Sequence, residues 1–309
     1  MSDYQAIILK AGSCQLELVP EFGGLTNKLV LAAPGKPGID LIAGLSNREA
    51  MMEDKGYHNI PLFPLVNRLD AGRYELNGKQ YQLEANEASL NNALHGFLQY
   101  IEPNVSLEEN SADSAKATLH YAYSGHLPGY PFTAEVTIEY VLESSGNLTI
   151  SYSAHNTHNE AIPVGLGWHP YFQLGSKMDQ LSLKLPKVKH TLIDDRMLPT
   201  GEKKDFTEFE ELTVIGARAF DDCFEVIEQT STAETILWSN AQNHGMKLWQ
   251  HTGENNFNFI QVCIAPDRQS IAIEPVSCGI NAFNTKDGLI MLEPGASTSV
   301  KCGVQCLYA

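Results

Sequence analysis

The chain has 309 residues, of which 43% are hydrophobic and 19% charged, a composition typical of ordinary globular proteins and not of disordered or fibrous ones. Its 37 acidic side chains outnumber 21 basic ones, and the resulting net charge of −16 argues against nucleic acid and anionic membranes as partners. The start lacks a signal-peptide pattern and no apolar window approaches the roughly 18 residues that span a bilayer, so we expect a cytoplasmic protein.

The cysteines are too sparse for a disulfide framework, and none forms a Cys-x-x-Cys pair beside a histidine cluster. We therefore expect six reduced and mostly buried thiols. They lie at positions 14, 223, 263, 278, 302 and 306.

Hairpin signals appear from the first third of the chain onward. Residues 73–76 and 79–83 flank Asn77 and Gly78, a pair that supplies the positive φ angles of a type I′ turn. Apolar and polar residues alternate over 132–140 and again over 148–154, as they do in half-buried strands. The sequence therefore predicts two β-hairpins.

The rest of the chain repeats this pattern of short strands separated by Gly, Pro and Asn. Helical spacing is scarce, and only residues 45–52 and 208–212 are compatible with short helical turns. Without a linker or a fixed repeat, the pattern predicts one all-β domain over residues 1–309, an antiparallel sandwich or barrel. Further strands are predicted at residues 117–123, 235–238, 246–249, 259–264 and 270–273.

Several polar residues occupy places that strand burial does not require. Arg68 follows an apolar run, although the sequence alone favours a surface ion-pairing arginine. His95 lies between turn residues and a glycine, where a lone histidine is usually an ordinary loop residue. His169 lies among aromatic residues, whose faces suit the apolar C–H faces of a sugar ring. Glu274 ends an apolar strand, where an ionised carboxylate needs a partner or a task.

Taken together, these motifs resemble the aldose 1-epimerase (galactose mutarotase-like) family. The resemblance extends over roughly residues 10–306 and rests on separate motifs in the family's order. The motifs are the run at 67–83, Leu94 to Gly96, His169 to Phe172, Asp221, Glu274 with Pro275, 281–284 and 292–295.

The resemblance implies a β-supersandwich, a large antiparallel β-sandwich with an open cleft for a monosaccharide and no metal or organic cofactor. It implies that Glu274 is the general base and His169 the general acid of anomer exchange. It also implies that Arg68, His95 and Asp221 bind the sugar, with the adjacent Asp222 as an alternative to Asp221. The expected enzyme is an isomerase that interconverts the α and β anomers of a free aldose, as a monomer or homodimer.

Two other functions remain open within the same fold. Trp168 and Gln173 stand where galactose mutarotases commonly have asparagine, so the sugar preference is open. A hexose-6-phosphate 1-epimerase would need a basic clamp, and near the motifs only Arg68 and Arg73 are candidates. A non-catalytic carbohydrate-binding protein of this fold would be expected to lack Glu274 or His169, and both are present.

A metal-dependent β-barrel enzyme is a further alternative, which would use several of the ten histidines. His155 and His158 are the one closely spaced pair, and side chains three residues apart on a strand point to opposite faces. We therefore predict no metal site. An acid–base pair instead predicts a bell-shaped pH profile, with Glu274 setting the acid limb and His169 the alkaline limb.

Overall fold

The structure is a computed structural model that describes residues 3–107, 111–228 and 231–309. Short strands are the main secondary structure of the described residues. There are also two short α-helices, α1 (Arg48–Glu53) and α2 (Ala282–Thr285), and 3₁₀ turns at Pro20–Phe22, Leu98–Tyr100 and Met178–Gln180. The strands of the first half are β1 (Ile7–Ala11), β2 (Cys14–Val19), β3 (Leu25–Leu31), β4 (Ile39–Asp40), β5 (Pro61–Leu62), β6 (Arg68–Asp70), β7 (Arg73–Leu76), β8 (Lys79–Gln82), β9 (Asn92–Leu94), β10 (Asn104–Leu107), β11 (Ser114–Tyr123), β12 (Ala134–Glu143) and β13 (Asn147–Asn156).

The second half continues the same architecture. Its strands are β14 (Ile162–Val164), β15 (Gly167–Trp168), β16 (Tyr171–Phe172), β17 (Leu181–Lys184), β18 (Val188–Ile193), β19 (Pro199–Phe206), β20 (Thr213–Val214), β21 (Asp221–Val226), β22 (Thr232–Ser239), β23 (His244–His251), β24 (Phe259–Ile264), β25 (Ile271–Val276), β26 (Ile290–Leu292) and β27 (Ser297–Tyr308).

A nine-stranded sheet is the larger of the two main sheets, in the order β10-β11-β12-β13-β27-β23-β22-β17-β20. Its longest ladder joins β12 to β13 in antiparallel register from Ala134 opposite Asn156 to Glu143 opposite Asn147. Burial alternates along both strands, which confirms the predicted hairpin and its two faces. The C-terminal strand β27 lies between β13 and β23, so the last strand of the chain is in the interior of this sheet and not at its edge.

An eight-stranded sheet packs against the same buried core as the nine-stranded sheet, and it carries the candidate site. Its order is β19-β18-β21-β24-β25-β15-β5, with β16 also pairing with β25. One cluster of buried residues draws members from both large sheets, among them Ile138 and Tyr152 from one and Ile260 and Ile273 from the other. A four-stranded sheet, β1-β2-β3-β4, and three two-stranded ladders complete the fold.

The second predicted hairpin is confirmed, and one predicted helical turn is wrong. Asn77 and Gly78, between β7 and β8, both have positive φ, 52° and 75°, as the type I′ turn requires. Helix α1 confirms the turn predicted at residues 45–52. Residues 208–212 form no helix and instead make an irregular turn. Phe209 is the buried apolar residue of this turn, and its carbonyl accepts a hydrogen bond from the Leu185 N–H.

Candidate active site

Glu274 lies in the middle of the eight-stranded sheet, on strand β25, all six residues of which are buried. Its side chain is 1% exposed, and across the ladder it faces Gln261 of β24. Its Oε2 is buried and has no hydrogen-bond partner among the described residues. An unpaired buried carboxyl oxygen is costly, which makes this atom a candidate contact for a ligand.

His169 follows β15 and meets Glu274 directly. Its Nε2 lies 3.2 Å from Oε1 of Glu274, and the residue is 4% exposed. Two backbone bonds fix the segment, since His169 N–H donates to the Ile60 carbonyl and Asn59 N–H donates to the His169 carbonyl. The Asn59 side chain then accepts the Tyr171 N–H at 2.7 Å, which holds the backbone on the other side of the histidine.

Trp168 and Gln173, the two departures from the family pattern, form no side-chain hydrogen bond with Glu274 or His169 in the structure. Trp168 is fully buried and stacks edge-on against Phe172 at 5.9 Å. Gln173 donates from its side chain to the Ile42 carbonyl at 3.0 Å. Both residues therefore support the backbone around His169.

His95 completes a compact group with His169. Their ring centroids are 4.7 Å apart in an edge-to-face arrangement. His95 has φ of 60° and Asn67 has φ of 55°, and the two residues bond to each other: His95 N–H donates to the Asn67 carbonyl, and Asn67 N–H donates to His95 Nδ1 at 3.3 Å. Because Nδ1 accepts, the proton of the neutral ring lies on Nε2. Gly96 is required next, since a Cβ there would lie 2.4 Å from the Phe63 carbonyl oxygen.

Arg68 is held between two carboxylates and is not a surface arginine. Its side chain is 11% exposed, and its Nε donates to both oxygens of Glu87 at 3.0 and 3.1 Å. Its Nη2 lies 3.5 Å from Oδ2 of Asp221. Asp221 also accepts a bond from Gln261 at 2.7 Å, and Gln261 in turn accepts from the Asn67 side chain at 2.9 Å. A hydrogen-bonded chain therefore links Arg68 to the strands that carry Glu274.

The structure distinguishes the two adjacent aspartates. Asp221 and Asp222 are neighbours on β21 and point to opposite faces of the sheet. Asp221 faces Arg68, whereas Asp222 pairs with His190 at 2.8 Å. Of the two, Asp221 is the one that lies with the candidate site.

Burial shifts both members of the central pair toward their neutral forms. Desolvation raises the pKa of Glu274 well above its ordinary value of 4.5; nearby Asp221 adds to the rise and Arg68 opposes it. Desolvation lowers the pKa of His169 to about 3. These shifts favour a proton on Glu274 and a neutral His169, the reverse of the order expected from the sequence. Burial likewise lowers the pKa of His95 well below its usual range.

His95, His169 and Glu274 also meet the composition of a metal site, since one ligand atom from each lies within 4.8 Å of the others. The sequence argument considered only neighbouring histidines, and the fold instead brings together two histidines that are 74 positions apart. His155 lies away from them, bonded to Ser297 at 2.9 Å. The prediction that no metal is needed thus rests on the acid–base chemistry of Glu274 and His169, and metal removal would test it.

Three residues of the site were missed by sequence reasoning. Glu87 holds Arg68, Gln261 bridges Asp221 to Asn67, and Tyr57 lies with its ring 4.9 Å from His95. A glutamine in the apolar run 259–264 is the one signal that could have been found, because a buried amide needs partners. Tyr57 and Glu87 lie in loop segments without a pattern of their own.

Comparison with known proteins assigns the chain to a family. A family model described as aldose 1-epimerase matches residues 18–305. The uncharacterized protein YihR of Escherichia coli K12 is 28% identical over 237 residues, 76% of this chain and 74% of that protein. Human galactose mutarotase is 24% identical over 167 residues, 53% of this chain and 47% of the human protein. The chain therefore aligns with about half the length of that mutarotase.

Solved structures agree on the fold. A galactose mutarotase-like protein from Clostridium acetobutylicum superposes with a TM-score of 0.86 at 22% identity, over 99% of this chain and 96% of that one. The predicted all-β antiparallel sandwich is thus confirmed. With most of the chain matched by one family model, this protein belongs to the aldose 1-epimerase family, a family of carbohydrate isomerases, as the sequence predicted.

No helix in residues 3–107, 111–228 or 231–309 has the length and apolar character to cross a membrane.

Proposed function

We propose that this protein interconverts the anomers of a free aldose, with Glu274 and His169 as its acid–base pair. One observation carries the proposal: a buried carboxyl and a buried imidazole lie 3.2 Å apart, and the second carboxyl oxygen has no hydrogen-bond partner in the part of the chain that the structure describes. A carboxyl and an imidazole that can each give and take a proton are what ring opening and closure require.

The reaction balances over these two side chains. Glu274 as carboxylate takes the proton of the O1 hydroxyl, the C1–O5 bond breaks, and His169 as imidazolium gives its proton to O5. The open-chain aldehyde then rotates about C1–C2. His169 takes the proton back as O5 attacks the other face of C1, and Glu274 returns its proton to O1. Each turnover restores both side chains.

The protonation state that these pKa shifts favour matches one half of this cycle. A protonated Glu274 and a neutral His169 are the forms that surround the open-chain aldehyde and drive ring closure. Ring opening needs the proton to cross from Glu274 to His169, over a separation of 3.2 Å. The positive charge of Arg68 stabilises the resulting carboxylate.

Arg68, His95 and Asp221 are proposed to bind the sugar hydroxyls. An arginine and a carboxylate side by side offer both donors and acceptors, which suits hydroxyl groups. Arg68 already bonds to Glu87 and faces Asp221, so its charge is compensated before any substrate binds. That arrangement favours a neutral aldose over a hexose 6-phosphate, because a phosphate would be repelled by the two carboxylates.

Anomer exchange measured by NMR on glucose, galactose, other aldoses and glucose 6-phosphate tests this proposal. We expect catalysed exchange of at least one free aldose and weaker exchange of the phosphorylated sugar. Binding without exchange would support the non-catalytic alternative, and preferred exchange of glucose 6-phosphate would reverse our ranking of substrates.

We further propose a cytoplasmic location and one domain over residues 1–309. Six unpaired cysteines, five of them buried, suit a reducing compartment. A buried cluster whose members range from Leu9 to Cys306 supports the single domain. Assembly as a monomer or a homodimer stays a prediction.

A further inference from the structure

A tight turn of the backbone, residues 54–58, lies beside the candidate active site. The Asp54 carboxylate closes this turn, because it accepts the backbone N–H groups of Gly56 at 2.9 Å and of His58 at 2.7 Å. The Nδ1 atom of the His58 ring lies 2.8 Å from the same carboxylate. The Asp54 side chain is 11% exposed. One largely buried carboxylate therefore fixes the path of the whole turn.

The last two residues of the turn place their rings against residues of the site. The Tyr57 ring lies 4.9 Å from the His95 ring and 6.4 Å from the His169 ring, measured between centroids. The His58 ring stacks on the Tyr171 ring, with the centroids 4.2 Å apart and 23° between the planes. A movement of the turn would therefore displace two rings that pack against the site.

Asn59 follows the turn and holds the backbone on both sides of His169. Its N–H donates to the His169 carbonyl at 2.9 Å, and its side-chain oxygen accepts the Tyr171 N–H at 2.7 Å. Its side-chain amide donates to the Ala43 carbonyl at 2.9 Å, and the residue is fully buried. The end of the turn is thus bonded directly to the segment that carries His169.

The backbone of this segment has a conformation that large side chains rarely adopt. Tyr57 has φ of 57° and Asn59 has φ of 59°, both in the left-handed region. Such strain persists only where the surrounding bonds enforce it, and the bonds to Asp54 do so here. Without those bonds, the turn could relax toward negative φ and carry its rings away from the site.

The same turn occurs a second time in the chain, just before β19. Asp194 accepts the N–H groups of Arg196 at 2.8 Å and of Leu198 at 3.0 Å, at the spacing seen in the first turn. Met197 has φ of 59° and occupies the position of Tyr57. Among the described residues, no hydrogen bond or ring contact links this second turn to the acid–base pair. The motif is therefore structural in itself, and the first turn differs in the rings that it places against the site.

We propose that Asp54 is a positioning residue of the reaction, whose bonds to the turn hold His169 where it meets Glu274. This inference rests on the function proposed above, and Asp54 itself bonds to neither member of the pair. Nε2 of His169 and Oε1 of Glu274 lie 3.2 Å apart, so a small shift of the histidine changes the path of the proton. A misplacement of about 1 Å can slow a reaction about 10²-fold.

The test follows anomer exchange by NMR, per folded molecule, on the free aldose that the wild type converts best. Asp54→Ala removes all three bonds of the carboxylate, so kcat should fall about 10- to 100-fold. KM should change less than kcat, because Arg68 and Asp221 keep their places. Asp54→Asn keeps one oxygen as an acceptor for the Gly56 N–H and the His58 ring, so its kcat should fall less. This second variant decides the question if Asp54→Ala does not fold.

Two controls separate positioning from a general loss of structure. Asp194→Ala removes the two backbone bonds of the matching turn, so it should lower the free energy of unfolding in urea titrations and leave kcat near the wild-type value. His58→Phe keeps a ring on Tyr171 without the bond to Asp54, whereas His58→Ala removes both. The phenylalanine variant should therefore keep more turnover than the alanine variant.

The outcomes separate the two proposals. A wild-type kcat in Asp54→Ala, or an equal loss in Asp194→Ala, would overturn the positioning role and leave the proposed function intact. The negative charge of Asp54 also opposes the lowering of the His169 pKa. Equal losses in Asp54→Asn and Asp54→Ala, with the acid limb of both pH profiles shifted to lower pH, would trace the effect to that charge and overturn positioning. Absence of exchange by the wild type on every sugar would overturn the proposed function itself.

Discussion

The middle strands of the nine-stranded sheet and those of the eight-stranded sheet differ in how their polar positions are used. In β12 and β13 burial alternates, and apart from Asn156 at the end of β13 the buried positions hold aliphatic or aromatic residues such as Ile138 and Leu148. In β25 all six residues are buried, and Glu274 is among them. The first pair of strands builds the core, whereas β25 carries an ionisable group into it.

A buried polar residue in the nine-stranded sheet sharpens the contrast. Gln250 of β23 is 2% exposed, and its amide donates to the carbonyls of Phe257 and Phe259 at 2.6 and 3.1 Å. Glu274 is as deeply buried, yet its Oε2 lacks a partner among the described residues. The amide of Gln250 is thus satisfied within the protein, whereas the carboxyl of Glu274 has an oxygen that could bond to a ligand.

The largest expected effect is on turnover at the eight-stranded sheet. Glu274→Gln keeps the side-chain shape and removes its basicity, so kcat should fall at least about 10²-fold while sugar binding largely survives. His169→Asn should do the same. Because the two groups act as a unit, the double variant should be scarcely slower than either single variant in NMR exchange rates. A Glu274→Gln enzyme that keeps most of its turnover would show that the mechanism is wrong.

The matching change in the nine-stranded sheet should affect stability instead. Ile138→Ala leaves a cavity at a fully buried position and should lower the free energy of unfolding by about 2 to 5 kcal/mol in urea titrations. Turnover per folded molecule should stay near the wild-type value. Glu274→Gln should not lower stability in the same titration, since it removes an ionisable group that burial penalises. The contrast fails if both variants lose stability equally.

Loss of the clamped arginine should have an intermediate effect. Arg68→Ala removes charge-assisted hydrogen bonds to the sugar, and it leaves Glu87 and Asp221 without their cation. We expect kcat/KM to fall by the equivalent of about 1.5 to 3 kcal/mol. Arg73→Ala is the matched control, because Arg73 is exposed and bonds only weakly to Gln82, at 3.4 Å. Equal effects of both substitutions would place Arg68 outside the site.

The pH dependence should follow the shifted pKa values. The active pair carries one proton, so kcat/KM falls when a second proton binds or the last one leaves. His169, with its pKa lowered to about 3, sets the acid limb, and Glu274, with its pKa raised, sets the alkaline limb. The acid limb of the wild-type profile should therefore lie well below the ordinary histidine value of 6.5, and the alkaline limb well above the ordinary glutamate value of 4.5. An alkaline limb that survives in the residual activity of Glu274→Gln would contradict this assignment.

The smallest expected effect is that of metal removal. His95, His169 and Glu274 could together hold a cation, but the acid–base mechanism uses only protein side chains. Treatment with EDTA should leave anomer exchange unchanged. Activity that vanishes in EDTA and returns with zinc would identify the three residues as metal ligands.

Local sequence patterns predicted much of the fold. Asn77 and Gly78 fixed a turn, and alternation over residues 132–140 fixed both the strand and its buried face. The family resemblance supplied Glu274 and His169 as candidates, because their motifs are short and continuous. The structure brings these two residues into contact, although 105 positions separate them in the sequence.

The rest depended on contacts that no local pattern encodes. Glu87 is identified only by where Arg68 lies, and His190 decides between Asp221 and Asp222 only once strand β18 lies beside β21. Period-two reasoning also could not distinguish β25 from a half-buried strand, because a continuously buried strand has no alternation.

The buried pair also leaves a mark on the stability of the whole protein. The raised pKa of Glu274 lets the folded protein keep a proton that the unfolded chain releases, so this group makes stability fall as the pH rises from the ordinary carboxyl value of 4.5 toward the raised pKa. The lowered pKa of His169 has the opposite effect, because the unfolded chain binds a proton that the folded protein does not, and this group makes stability fall as the pH drops from 6.5 toward about 3. Where the two ranges overlap, folding transfers the proton from imidazole to carboxyl, and the two slopes oppose each other.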